Sequence, residues 1–173
     1  RELCVDPDGI FVSTEDDEIC DVATKCGGTV LHRPDHLALD YVSTLDVLDY
    51  HLDEIDNGGF VVLLEATRPV RYQGMLDDAV KMYQSYSTLV TSRSVVFHEV
   101  GGVVKRRQDA LKVTEECGAV YIFSKRQLER KIKYDDNIIS MPIDDWYCCD
   151  INTVCEWVCT EAVLNYQQDG NII

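Results

Sequence analysis

Short apolar runs alternate along the chain with amphipathic stretches, and this alternation predicts where strands and helices lie. Residues 9–14 and 29–31 are predicted strands, and residues 16–26 between them form a predicted helix that Gly27 and Gly28 end. The apolar face of that helix is predicted to carry Ile19, Val22, Ala23 and Cys26.

The run Phe60–Leu64 is the clearest strand of the sequence. Its five consecutive apolar residues indicate a strand that is covered on both faces, as in the middle of a parallel sheet. Further strands are predicted at residues 88–96, 119–123 and 138–141.

Three helix starts are marked by a capping residue with a polar partner three positions later. The pairs are Ser43 with Asp46, Ser124 with Gln127, and Thr153 with Glu156. The helix that opens at Ser43 is predicted to continue until residues 57–59, and another helix is predicted at residues 75–86. Alternating strands and helices predict a mostly parallel, doubly wound α/β sheet with flanking helices, in a single domain that spans residues 1–173.

Composition narrows the classes of partner. Hydrophobic residues make up 46% of the sequence, which is enough for a core, but no apolar run is long enough to cross a membrane. The formal net charge of −15 opposes sequence-independent binding to nucleic acid. A phosphorylated ligand that is screened by a divalent cation remains compatible with this charge. We therefore predict no membrane partner and no nucleic-acid partner.

Eight cysteines occur without a C-x-x-C pair. Cys20, Cys155 and Cys159 have helical spacing among apolar residues, so we expect them to be small core residues rather than metal ligands or redox groups. Unpaired thiols of this kind favour a reducing, cytoplasmic location.

Polar side chains gather where the predicted parallel strands end, which is where open α/β sheets bind ligands. They are Ser13, Thr14, Glu15, Asp16, Arg33, Glu65, Thr67, Arg68, Arg71, Asp150 and Asn152. Arginines for anionic oxygens and carboxylates for Mg²⁺ suit a phosphorylated, metal-associated ligand. Helix capping and strand termination explain many of the same residues and stay open as the alternative. No nucleophilic triad is visible in the sequence.

Five segments, in their order, resemble the acylneuraminate cytidylyltransferase (CMP-sialic acid synthetase) family. They are IFVSTEDDEICDVATKCGGTV, HRPDHLALDYVST, VVLLEATRPVR, CGAVYIF and CDINTVCEWVCTEAVL. The resemblance implies a Rossmann-like fold of the nucleotide-diphospho-sugar transferase type. It also implies transfer of CMP from CTP to sialic acid or a related acidic nine-carbon sugar, with release of pyrophosphate, with Mg²⁺ as cofactor and with a homodimer as the assembly.

The resemblance assigns roles to several residues but identifies no catalytic residue. Nucleotide binding is implied for Arg33, Ser43 and Thr44. Sugar binding is implied for Glu65 and Arg71, with Lys105 as a loosely aligned further cation. Metal binding is implied for Asp150 and Asn152.

The sequence departs from the family in three places. Asn152 stands where a second Asp belongs, which weakens the expected metal site. Glu115 stands near an expected Arg for the sugar carboxylate, where it would repel an acidic sugar. The family's first strand and phosphate-binding loop have no counterpart, so we expect a fragment with little activity by itself.

Two alternatives stay open. The first is a catalytically inactive nucleotide- or sugar-binding module that retains the fold. The second is a glycosyltransferase, since Asp6-Pro7-Asp8 spells a D-x-D metal motif, although that motif precedes the first predicted strand.

Overall fold

The computed structural model describes residues 9–55, 59–84, 86, 88–97, 99–100, 103–104 and 111–168. Lys105, a predicted sugar ligand, and the Asp6-Pro7-Asp8 motif lie outside the described residues. The chain divides into two compact units, one from Arg1–Val61 with Phe123–Asp136 and the other from Val62–Ile122 with Asn137–Ile173.

The first unit is built from two strands and four helices in its described part. They are β1 (Phe11–Thr14), α1 (Asp17–Lys25), β2 (Thr29–His32), α2 (Thr44–Tyr50), α3 (Leu52–Ile55) and α5 (Lys125–Arg130). Strands β1 and β2 pair in parallel along their length, and α1 connects them. This is the strand–helix–strand start that the apolar pattern predicts.

Helix α1 begins and ends through local backbone contacts. Oδ1 of Asp16 accepts the backbone N–H groups of Glu18 and Ile19 at 2.8 and 2.9 Å. After the last turn, Gly27 takes a left-handed conformation with φ of 85°, which glycine adopts without strain. Both ends are therefore determined by residues within or next to the helix.

Most residues of the predicted apolar face of α1 are exposed, so the prediction is wrong for them. Ala23 is 8% exposed, but Ile19 and Val22 are 50% and 59% exposed, and Cys26 is exposed as well. Helical spacing puts side chains on a common face, but it does not show whether another element covers that face.

Buried His51 connects strand β1 to the two short helices α2 and α3. It is 2% exposed, and its Nε2 lies 3.0 Å from Oγ of Ser13. Its Nδ1 lies 3.0 Å from Oε1 of Glu54. The helix predicted from Ser43 onward is interrupted at this histidine, which places its ring between the strand and α3.

The second unit contains a four-stranded sheet in the order β3-β7-β4-β8 among its described residues. Its elements are α4 (Met75–Tyr83), β4 (Thr88–Phe97), β5 (Glu99–Val100), β6 (Val103–Val104), β8 (Ile138–Pro142) and α6 (Val154–Gln168), together with β3 (Phe60–Leu63) and β7 (Leu111–Ser124), each of which has two residues within the ranges of the first unit. Strands β4 and β8 pair in parallel, whereas the short strands β5 and β6 pair antiparallel.

Strands β7 and β4, and not β3, are the buried inner strands of this sheet. Residues 119–123 of β7 are all at most 5% exposed, and the strand has a neighbour on each side. Strand β3 has one neighbour in the described sheet, and Phe60 and Leu64 are each 41% exposed. The prediction that Phe60–Leu64 lies in the middle of the sheet is therefore wrong, because strand order is set by long-range pairing.

The core of the second unit lies between its sheet and helix α4. Its buried members are Val70, Met75, Ala79, Tyr83, Leu89, Val120, Ile122, Met141 and Tyr147. They come from β4, β7, β8, α4 and the connecting segments, so the core fixes the strand ends that carry the polar residues.

Helix α6 exposes much of its apolar surface. Val154, Trp157 and Val158 are 82%, 58% and 57% exposed. Cys155 and Cys159 are exposed too, so the prediction that they are core residues is wrong. Across the described residues, no helix combines the length and the apolar character that a membrane crossing requires.

The environment of His51 leads to a stability prediction. His51→Ala removes a buried ring and leaves Ser13 and Glu54 without that partner, which should lower the free energy of unfolding by about 2 kcal/mol. Urea denaturation measures the change. His36→Ala, at an exposed histidine, should change it by less than about 0.5 kcal/mol. Equal losses in the two variants would contradict a connecting role for His51.

Candidate functional site

A polar cavity of about 460 Å³ opens in the second unit. Its walls come from the turn after β3, from β4 and β7, from the segment between β8 and α6, and from α6 itself. Among the described residues that line it, five are acidic, namely Glu115, Glu116, Asp145, Asp150 and Glu156. Arg68 and Arg93 supply the cations of the lining.

Arg68 joins two walls of the cavity through two carboxylates. Its Nε donates to Oε2 of Glu65 at 2.9 Å, and its Nη2 donates to Oδ2 of Asp150 at 2.7 Å. The backbone N–H of Ile151 also donates to the carbonyl oxygen of Thr67 at 2.9 Å. The turn after β3 is thus held against the segment that carries Asp150.

Gly118 of β7 leaves room for this ion-paired arrangement. Its φ is 69°, a left-handed conformation that side chains other than that of glycine rarely adopt. A Cβ at this position would lie 3.1 Å from Nε of Arg68, 3.2 Å from Oε2 of Glu65 and 2.8 Å from the hydroxyl of Tyr121. Glycine is therefore required here by both the backbone and the neighbouring side chains.

Asp150 stays ionised at neutral pH. Partial burial is the largest single influence on its pKa and raises it, but hydrogen bonds from Asn152 and Thr67 and the charge of Arg68 together lower it. The net result is an Asp150 pKa below its usual range. The cavity therefore contains the ionised carboxylate of Asp150 at neutral pH.

The segment after Asp150 also forms the N-terminal cap of helix α6. Oε2 of Glu156 accepts the backbone N–H of Asn152 at 2.9 Å and the hydroxyl of Thr153 at 2.9 Å. The backbone N–H of Glu156 donates to Oγ1 of Thr153 at 3.3 Å. The predicted capping pair of Thr153 and Glu156 is therefore confirmed.

The predicted metal ligands Asp150 and Asn152 lie together in the cavity lining. Among the described residues, no group of three or more His, Cys, Asp or Glu side chains is placed to hold a metal ion. Mg²⁺ in nucleotide sites is commonly held by one or two carboxylates together with substrate phosphates. The donor set therefore fits a cation whose coordination a bound triphosphate completes, but it does not fit a metal held by the protein alone.

Arg93 forms the second ion pair of the cavity. Its Nε and Nη2 both donate to Oε2 of Glu115, at 3.2 and 3.1 Å. The sequence does not predict this pair, because the two residues are far apart along the chain and meet only when β4 lies beside β7.

Arg71, predicted to bind the sugar, is not among the residues that line this cavity. Its Nη2 donates to the carbonyl oxygen of Ala119 at 3.0 Å, and its Nε is buried without a partner among the described residues. Burial lowers the pKa of its guanidinium. Arg68, three positions earlier in the same turn, is the arginine that faces the cavity.

The predicted nucleotide ligands belong to the first unit. Nε and Nη2 of Arg33 donate to Oε2 of Glu15 at 3.0 and 2.5 Å, and the bond from Arg33 lowers the pKa of Glu15. Ser43 caps α2 through the backbone N–H of Asp46 at 3.2 Å, as predicted, while Thr44 is exposed at the first position of that helix.

A serine–histidine–carboxylate chain in the first unit is not predicted by the sequence. Ser13, His51 and Glu54 form it through the two 3.0 Å contacts described above. No motif marks it, because Ser13 and His51 come from different elements. The near-complete burial of His51 fits a structural connection between elements.

Two buried thiols lie side by side at the cavity wall. Cys117 and Cys148 are 3% and 8% exposed and pack together with Ala119. The neighbouring Cys148 thiol is the largest influence on the pKa of Cys117 and lowers it; burial raises it, but Thr91, the Ala119 N–H and the charge of Arg68 lower it further, to about 6. The hydrogen bond between the two thiols and burial raise the pKa of Cys148. The pair therefore has one thiolate-forming member.

Solved structures with a similar fold include three enzymes. A CMP:2-keto-3-deoxy-manno-octonic acid synthetase in complex with CTP is 11% identical, with a TM-score of 0.65 over 91% of this chain and 80% of that chain. The 4-diphosphocytidyl-2C-methyl-D-erythritol synthase of Anaerococcus prevotii is 13% identical, with a TM-score of 0.61 over 90% of this chain and 78% of that chain. The 2-C-methyl-D-erythritol 4-phosphate cytidylyltransferase of Thermus thermophilus is 13% identical, with a TM-score of 0.51 over 90% of this chain and 81% of that chain.

At these identities the likeness shows the fold. The chain has the α/β fold of these neighbours, with a mostly parallel sheet and flanking helices, as the sequence predicts. No protein-family model matches the sequence, and no curated protein matches it either.

The crowding at Gly118 leads to a prediction for the Arg68 ion pairs. Gly118→Ala adds backbone strain and pushes against Arg68 and Glu65, so we expect a loss of about 2–4 kcal/mol in the free energy of unfolding. Gly74→Ala is the matched control, because Gly74 has φ of 91° but nothing within 4 Å of an added Cβ. The control should lose about 1 kcal/mol in the same denaturant titration. A loss at Gly118 no larger than that at Gly74 would contradict the close approach.

The thiol pair leads to a prediction for alkylation. Because the pKa of Cys117 is about 6, its rate of reaction with iodoacetamide should rise to half of its maximum near pH 6, well below the usual midpoint of about 8.5. Peptide mass spectrometry follows each cysteine separately. In Cys148→Ala the hydrogen bond is gone, so the midpoint should move upward. A midpoint near 8.5 in both proteins would contradict the assignment.

Proposed function

We propose that the protein is a nucleotidyltransferase of the cytidylyltransferase kind, which transfers CMP from CTP to a sugar hydroxyl and releases pyrophosphate. The observation that carries this proposal is the ion pair of Arg68 with Asp150 inside a polar cavity, where it joins the turn after β3 to the segment before α6. Support also comes from the fold, which is similar to that of a synthetase in complex with CTP and to that of other cytidylyltransferases.

The proposed reaction forms a bond from the sugar oxygen to the α-phosphorus of CTP and breaks the bond from that phosphorus to the pyrophosphate oxygen. Pyrophosphate leaves with the electron pair of the broken bond, and the proton of the sugar hydroxyl passes to solvent. Negative charge grows on the phosphoryl oxygens, and because both arginines of the cavity are already paired with carboxylates, the positive charge that offsets it would come with the bound cation. Asp150 and the carbonyl oxygen of Asn152 would hold Mg²⁺, which neutralises phosphate charge when it is bound. Arg68 keeps the Asp150 carboxylate in place and ionised.

For the nucleotide, the proposed ligands are Arg33, Ser43 and Thr44, as the family resemblance implies. The guanidinium of Arg33 is already held by Glu15, which fixes its plane for a further acceptor. The hydroxyl of Ser43 caps its helix and also donates to Oδ2 of Asp46 at 2.7 Å. Thr44 has the freer hydroxyl of the two, since it is exposed.

For the acceptor, the resemblance implies sialic acid or a related acidic sugar. Of the residues implied to bind this sugar, Glu65 forms an ion pair with Arg68, and Arg71 donates to the carbonyl oxygen of Ala119.

A homodimer and a cytoplasmic location are further parts of the proposal. Exposed apolar side chains such as Trp157 and Val158 of α6 are of the type that subunit interfaces cover, which supports a dimer. The location rests on the unpaired thiols of the sequence.

A second candidate function is a sugar- or nucleotide-binding module without catalysis. It is favoured by one observation, the absence of a group of three or more metal-ligating side chains among the described residues. A binding module would retain the fold and the cavity but would turn over no CTP.

Pyrophosphate release from CTP by the full-length protein, with Mg²⁺ and a panel of sugars, tests the proposed reaction. Asp150→Asn removes the ionised carboxylate and should lower kcat by about 100-fold or more. Asp53→Asn is the matched control, since Asp53 is exposed and does not line the cavity, and it should leave kcat within about twofold.

The outcomes separate the two candidates. Sugar-dependent turnover that is lost in Asp150→Asn supports the transferase. Binding of CTP without turnover under any condition supports the module and overturns the transferase. Turnover that survives intact in Asp150→Asn contradicts the role of this cavity.

A further inference from the structure

Both arginines of the cavity lining already have carboxylate partners. Arg68 is shared between Glu65 and Asp150, at 2.9 and 2.7 Å. Arg93 has two N–H groups directed at one oxygen of Glu115, at 3.2 and 3.1 Å. The positive charge that a carboxylate ligand would seek is therefore neutralised from within the protein.

The other charged residues of the lining add further negative charge. Asp145 acts on Arg93 electrostatically alongside Glu115, and Glu116 accepts the hydroxyl of Tyr121. With Asp150 and Glu156 included, the described lining sets five carboxylates against two guanidinium groups. A divalent cation at Asp150 would reduce this excess without reversing it.

An acidic sugar would meet this charge at a cost. Its carboxylate would have to displace Glu115 from Arg93 or remain beside several carboxylates of the same sign. A sugar whose groups are hydroxyls can instead donate to the carboxylates of the lining, which are strong acceptors. A cavity lined in this way disfavours a sugar that carries a carboxylate and favours an uncharged sugar of similar shape.

We propose that the pair of Arg93 and Glu115 is a specificity element that makes this cavity accept a sugar without a carboxylate and reject acidic sugars. The inference rests on the proposed function, in which this cavity takes the acceptor. It changes the acceptor class that the resemblance implies. Glu115 is the residue whose charge decides between the two classes, because it alone forms hydrogen bonds to Arg93 in the described lining.

A matched pair of probes tests the inference, namely N-acetylneuraminate and its methyl ester. They differ in the charge of one group, so their ratio of dissociation constants isolates the response to the carboxylate. NMR titration of the full-length protein, without nucleotide or metal, can follow the Nε–H signal of Arg93. The proteins compared are the wild type, Glu115→Gln, and the control Glu161→Gln, whose residue is exposed on α6 and does not line the cavity.

In the wild type, the ester should bind at least as tightly as the acid. In Glu115→Gln, which frees Arg93 and removes one negative charge, the acid should gain about three- to tenfold relative to the ester. Glu161→Gln should keep the wild-type ratio, although its net charge changes equally. These three results together support the inference.

The inference is overturned if the wild type prefers the acid, if Glu115→Gln leaves the ratio unchanged, or if neither probe moves the Arg93 signal at millimolar concentration. Turnover separates this failure from that of the proposed function. CMP transfer to an acidic sugar by the wild type would sustain the function and overturn the acceptor class. An ester preference in a protein that turns over no CTP with any sugar would overturn the function alone.

Discussion

The ion-paired bridge from Arg68 to Glu65 and Asp150 is the interaction on which the candidate site depends. It holds the turn after β3 to the segment before α6, and it keeps Asp150 ionised at the cavity wall. With side chains that are 19% and 28% exposed, Arg68 and Asp150 are partly withdrawn from water, so losing either partner leaves the other poorly compensated. Gly118 makes room for the bridge beneath it.

Local features of the fold could be predicted from the sequence. The caps at Ser43, Ser124 and Thr153 are confirmed, because each depends on residues at most three positions apart. The strand–helix–strand start and the α/β class follow from apolar spacing in the same way. Long-range placement cannot be predicted in this way, so apolar spacing puts β3 in the middle of the sheet, where the structure has β7 and β4.

In the candidate site, too, local features could be predicted from the sequence but long-range placement could not. The strand-end rule predicts Asp150, Asn152 and Arg68 among eleven candidates, and the structure brings these three together. It could not distinguish Arg68 from Arg71, since both arginines lie in one turn and only packing decides which is directed to the carbonyl of Ala119. Neither the pairing of Arg93 with Glu115 nor the chain through His51 leaves a signal in local spacing.

The proposed function requires that a nucleotide-associated metal binds at Asp150 beside Arg68. Anomalous diffraction from crystals grown with CTP and Mn²⁺, a substitute for Mg²⁺ with its own anomalous signal, locates the metal directly. The account predicts a peak within about 2.0–2.4 Å of a carboxylate oxygen of Asp150, shared with phosphate oxygens of the nucleotide. A metal–nucleotide complex bound elsewhere, with Asp150 still paired to Arg68 alone, would contradict it.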